Sequence, residues 1–157
     1  MSIAILALMA WLVMIVFSLV PKGLTLTEMV LLYFVIVVLT ITIFTILDVN
    51  LNWVPLTRKV EGSFAMYICR FFVIPLLVLM AACVLLSNMK VKWRVVLSAI
   101  IVMVLSGADR IYLRLDLMEF VRWNVGYSVL MYGVFVILIW RIAHWYIGLD
   151  KEVSKES

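Results

Sequence analysis

Eighteen consecutive residues, Ile3 to Val20, carry no charge, and four more apolar stretches follow at short intervals. A bilayer's hydrocarbon core is about 30 Å thick, and a helix crosses it with roughly 17–25 mostly apolar residues. Of the 157 residues, 68% are hydrophobic and 14% charged. A soluble domain is nearer half apolar and a quarter charged, and a globule of this length has too little interior to hide the excess. Soluble, disordered and secreted disulfide-rich classes are excluded. The remaining fold class is an all-α integral membrane helical bundle.

The spans read as follows. Ile3 to Val20 ends at Pro21-Lys22-Gly23. No Lys or Arg precedes it and no small-x-small site follows, so it reads as a retained span rather than a signal peptide. The second runs from Met29 to about Leu51. Thr25 and Glu28 before it have the spacing of a capping box. Its Val, Ile and Thr favour strands in water, but in lipid only a helix satisfies its own backbone over such a length. The third runs from Phe64 to about Leu86 and contains Arg70 and Pro75. Pro75 removes a backbone donor and predicts a kink.

The fourth span is short, with only Val95 to Ala108 uncharged before Asp109-Arg110. Either Lys92 and Arg94 snorkel and let it begin earlier, or it continues past Asp109. The piece Asp109 to Arg122 has Ile111, Leu115 and Met118 at helical spacing, which predicts an amphipathic extension at the interface. The fifth runs from about Asn124, a candidate N-cap, to Ile147. Five transmembrane helices are expected, or four if the fourth stops short. Residues 1–149 form a single multipass domain and 150–157 a polar tail. Short connections predict that successive helices are antiparallel neighbours.

With five spans, one membrane face collects Arg58, Lys59, Arg110, Arg114 and Arg122, and the other Lys22, Lys90, Lys92, Arg94, Lys151 and Lys155. That balance sets no firm orientation. The dense short loop Lys90 to Arg94 favours a cytoplasmic C-terminus.

The same topology gathers Asp48, Arg70, Asp109, Arg110 and Asn124 at one face, with Asn50 and Asn52 beside Asp48. Ionisable groups near hydrocarbon are expensive, and they pair or line a watered cavity. Arg70, about two turns into its helix, is expected either to pair with Asp48 or Asp109, which would dock spans two, three and four, or to snorkel to the headgroups.

Other features point to packing. Ala4, Ala7 and Ala10 recur every third residue and would let a helix approach closely. Cys69 and Cys83 lie about 21 Å apart along one helix at about 1.5 Å per residue, beyond disulfide reach. His144 is the lone histidine, and a single ligand builds no tetrahedral shell. No HExxH, G-x-S-x-G, phosphate loop or cysteine–histidine set occurs. A carboxylate dyad of Asp48 and Asp109 would need the two nearly touching. No catalytic, metal or cofactor site is expected. The 13 Lys and Arg are scattered, without the run that binds nucleic acid. The expected partners are the lipid bilayer and either further copies of the chain or other membrane proteins.

Val20-Pro21-Lys22, the short basic third loop, the stretch from Asp109 to Tyr146 and its Trp123-Asn124-Val125-Gly126-Tyr127 neighbourhood resemble a family of small multipass membrane proteins from spore-forming Gram-positive bacteria, labelled CBO0543. The resemblance implies a bacterial cytoplasmic or spore membrane and carries no activity or catalytic residue. The expected function is that of a non-enzymatic structural or accessory subunit of a membrane assembly. The alternative is a small oligomeric channel or transporter with Asp48, Arg70 and Asp109 at its mouth. Transport should leave polar residues mid-span, and spans one and two carry only Thr and Ser there.

Overall fold

The computed structural model describes residues 2–20, 23–56 and 60–156, with side chains given except at 2, 3, 61 and beyond 148. Lys22, Arg58 and Lys59 of the charge comparison, and the side chains of Lys151 and Lys155, lie outside what is described. The elements in order are α1 (Ser2–Leu19), α2 (Leu26–Thr45) with a π turn at Ile46–Asn50, and α3 (Val60–Ile68). A second π turn, Cys69–Val73, joins α3 to α4 (Ile74–Leu86), and α5 (Val91–Arg114) and α6 (Val125–Glu156) follow. The chain is an all-α bundle. Its described residues contain no strand beyond one isolated bridge.

Four helical stretches are long and apolar enough to cross a membrane: Leu26–Asn50, Gly62–Leu86, Val91–Arg114 and Val125–Gly148. The fourth span thus reaches full length, and the shorter element is α1, with 18 residues from Ser2 to Leu19. The fourth gains its length at both ends. It begins before Lys92 and Arg94, as snorkelling permits, and runs on through Asp109 to Arg114.

The predicted interfacial helix over Asp109–Arg122 is only half realised. After Arg114 the backbone turns, with Asp116 at φ 54°, a left-handed conformation that Asp tolerates better than most residues. Leu117 and Met118 then bury inward instead of lying on the interface. The polar tail is no separate element, because α6 continues to Glu156.

α3 and α4 form the central span, touched by α1, α2, α5 and α6. Apolar residues surround its whole circumference, so Leu77 through Val84 are all buried. That is the pattern of a helix buried on every side. Around it the other helices bury one stripe each and turn large apolar side chains outward, among them Trp11, Phe34, Met103 and Leu130. In lipid such exposure costs nothing.

α1 departs from the expected neighbour order. It packs on α3 and α4 and makes no close backbone approach to α2, so its partner is a helix running in the same direction. Its buried stripe is Leu6, Ala10 and Val13. Ala4 and Ala7 of the anticipated small-residue face point outward.

Loop contacts fix the alternation of directions. A Cβ on Gly23 would stand 2.6 Å from the Leu86 carbonyl oxygen, so the first and third loops touch at one face. At the other face Leu56 bridges Met118. There the Glu119 N–H donates to the Pro55 carbonyl and the Val121 N–H to the Trp53 carbonyl, each at 3.1 Å.

Two local expectations hold. The Thr25 side chain accepts from the Glu28 N–H and the Glu28 carboxylate accepts from the Thr25 N–H, completing the capping box. Asn124 Oδ1 accepts from the Tyr127 N–H at 3.0 Å and caps α6. At Pro75, where a kink is expected, the regular helix is interrupted by the π turn immediately before it. In a regular helix the Phe71 carbonyl would accept from residue 75, which as proline has no N–H. The Tyr33 hydroxyl of α2 donates to that carbonyl at 2.7 Å instead.

Candidate functional site

Polar side chains from four helices meet inside the bundle, close to the face formed by the second and fourth loops. The carboxylate of Asp109 (4% exposed) points inward from α5. The Tyr132 hydroxyl of α6 donates to Asp109 Oδ1 at 3.1 Å, and the Ser128 hydroxyl, one turn earlier on α6, lies against the same carboxylate. Trp123 Nε1 in turn donates to Ser128 Oγ at 2.9 Å. Tyr112 follows Asp109 by three residues, hence on the same face of α5. Its fully buried hydroxyl lies beside the Cys69 thiol without a hydrogen bond of ordinary geometry.

Arg70 occupies the second π turn and is 6% exposed. Its guanidinium lies over the Phe44 ring of α2, 4.7 Å from the centroid. This cation–π contact is worth about 0.5–2 kcal/mol, most where water is excluded. Asp48, Tyr67 and Tyr132 are the groups within electrostatic reach. Nε and Nη2 have no hydrogen-bond partner. Cys69, Arg70 and Val73 of this π turn are all buried.

Of the five residues expected to gather, Arg70 and Asp109 are buried with Tyr132 in reach of both, and Asp48 lies within electrostatic reach of Arg70. Asp109 is engaged by Tyr132 and Ser128. Asp48 is half-buried in the first π turn, where its Oδ1 accepts the Leu56 N–H at 3.0 Å. That bond ties the chain leaving α2 back onto its end. Asn52 at φ 51° makes the reversal between them, a conformation suited to Asn. Arg110 and Asn124 stand outside, both exposed, with Asn124 spent on its cap.

The paired second and fourth loops lie over this end of the bundle. Trp53 and Trp123 meet there at 6.1 Å between centroids, and Trp123 and Tyr127 at 5.6 Å. Val54, Leu117 and Met118 are buried beneath. The arrangement is a polar interior under an aromatic cover.

Residue-type reading missed Tyr112, Ser128, Tyr132 and Phe44. Helical spacing carries the signal: Ser128, Tyr132, Phe135, Val136, Ile139 and Ala143 form one buried stripe of α6, and its polar members lie at the end nearest Asp109. Elsewhere, His144 stacks on Trp140 at 6.0 Å. The described residues contain no group of three or more His, Cys, Asp or Glu placed to hold a metal. Cys69 and Cys83 are both buried and form no disulfide with one another.

No family model, no curated protein and no solved structure matches the chain.

Proposed function

We propose that this membrane-embedded chain serves as a structural or accessory subunit of a larger membrane assembly and carries no enzymatic activity. The observation behind this reading is the direction in which the polar groups are spent. Asp109, Tyr132, Ser128 and Trp123 bond to one another across α5 and α6, and paired loops lie over them. Buried polar groups used in this way specify how helices dock, which is what a scaffold needs. The bilayer in question is a bacterial cytoplasmic or spore membrane, as the family resemblance implies.

One observation favours a channel or transporter instead. Arg70 keeps two nitrogens without partners in a buried place, and an intramembrane cation so placed is a functional candidate by default. Two experiments separate the readings. Crosslinking in native membranes should capture a stoichiometric membrane-protein partner. Proteoliposomes bearing the wild-type chain should leak no ions or small solutes beyond empty vesicles. Flux that is present in wild type and lost in Asp109→Asn overturns the accessory reading in favour of transport.

A further inference from the structure

An apolar concavity lies at the opposite end of the bundle from the polar interior. Because α1 packs on the central span without approaching α5, a cleft of about 460 Å³ opens between α1 and α5 with α4 as its floor. Leu12, Val16 and Leu19 form one wall, Val84 lies on the floor, and Leu97 and Ile101 form the other wall. The α1 wall from Leu12 to Leu19 is about 10 Å long at about 1.5 Å per residue.

The cleft has a charged end. Arg94, Leu97 and Ile101 are spaced by three and four residues, so they share a face of α5, and Arg94 continues the cleft's wall one turn further out. Its Nη1 donates to the Leu85 carbonyl at 3.0 Å, which holds the side chain at the edge of the floor helix, and its Nε is buried with no partner. Lys90 and Lys92 are exposed just before it, and Asn88 to Arg94 contains no acid. The first turn of α5 thus carries only cations, where the helix dipole favours anions. Trp93 is exposed beside them, as interfacial tryptophans are.

We propose that this cleft is a binding site for one anionic phospholipid, with an acyl chain lying between α1 and α5, the phosphate held by Arg94 and Lys90, and Lys92 adding to the positive field at the same interface. Charge complementarity selects the occupant. A partner helix would fill the cleft equally well, but it would have no use for three cations at its mouth. The accessory-subunit reading is not required.

The test uses the full chain in mild detergent, offered phosphatidylglycerol or phosphatidylcholine in equal amounts, with bound lipid counted by native mass spectrometry. The wild type should retain one phosphatidylglycerol in preference to phosphatidylcholine. Lys90→Gln and Lys92→Gln should each weaken retention by about fivefold, since a basic residue near an anionic headgroup is worth about 1 kcal/mol. Both side chains are exposed, so neither change threatens the fold. Arg94→Gln should weaken it by at least about tenfold, the scale of a charge-assisted hydrogen bond. Val16→Phe, which narrows the cleft and leaves the cations intact, should abolish the preference. Equal retention of the two lipids, indifference to both lysine changes, or a disulfide dimer formed through Leu12→Cys in native membranes would each overturn the proposal.

Discussion

Tyr33 replaces a hydrogen bond that Pro75 cannot make, and this can be tested by a cycle whose two arms have different predicted sizes. Tyr33→Phe deletes only the hydroxyl that reaches the Phe71 carbonyl at 2.7 Å. Phe71 lies on a partly exposed face of the central span, where lipid offers no donor, so the carbonyl is left unsatisfied. The net value of such a bond is about 0.5–1.5 kcal/mol, and interhelical bonds within membranes average about 0.6 kcal/mol with a maximum near 1.7. Tyr33→Phe should therefore destabilise the wild type by about 1 kcal/mol. Pro75→Ala restores a backbone N–H four residues after Phe71, and the helix can then satisfy that carbonyl itself. In the Pro75→Ala background the cost of Tyr33→Phe should fall to within about 0.3 kcal/mol of zero, the ordinary scatter of independent sites. Reversible unfolding in mixed micelles, followed by circular dichroism, gives all four stabilities. Equal costs of Tyr33→Phe in the two backgrounds would falsify the reasoning, because the tyrosine would then be acting by packing alone.

Three further expectations use the same assay. In the polar interior, Asp109→Ala and Tyr132→Phe should be coupled by about 1 kcal/mol, within the range of interhelical hydrogen bonds in membranes; strict additivity would mean that the 3.1 Å contact contributes nothing. Gly23→Ala should destabilise by about 1–3 kcal/mol, as overpacking does, because its Cβ would stand 2.6 Å from the Leu86 carbonyl oxygen. Gly133→Ala is the control: it has nothing within 4 Å and should instead stabilise by about 0.5–1 kcal/mol, the helix-interior penalty of glycine. Thr25→Ala should cost about 1 kcal/mol through loss of the capping box, with amide exchange accelerated only in the first turn of α2.

What could be read in the sequence was whatever depends on neighbours along the chain. The apolar runs, the Thr25–Glu28 box and the Asn124 cap are local, and each appears where its residues stand. The limits of the fourth span were open because counting uncharged residues treats Asp109 as a boundary, and the helix extends at both ends. In the folded chain Tyr132 and Ser128 supply the polar contacts that let a carboxylate sit inside a helix. The extension after Arg114 failed for a related reason. Ile111, Leu115 and Met118 have helical spacing, but Met118 finds a better place against Leu56, and that partner lies 62 residues away. The neighbour order of α1 was invisible as well. A short loop makes antiparallel packing on α2 available, yet α1 lies on the central span, whose apolar surface continues all the way round.

These misreadings share a physical origin that also explains the asymmetry of the molecule. A central helix apolar on every side can accept neighbours at any angle, so their positions are decided at the ends of the spans. At the face of the second and fourth loops, Asp48 tied to Leu56, the Trp53–Trp123 pair and the strand-like bonds from Glu119 and Val121 draw the loops together over Asp109 and Arg70. At the other face, α1 packs on α4 and the first loop at Gly23 lies on the end of α4 at Leu86, while Arg94 bonds to α4 at Leu85. α1 and α5 are thus each fastened to α4 and not to one another. The cleft between them follows from those two attachments. Removing the Arg94 attachment should loosen α5 there and leave the loops at the far face paired, which amide exchange at Glu119 and Val121 would report as unchanged protection.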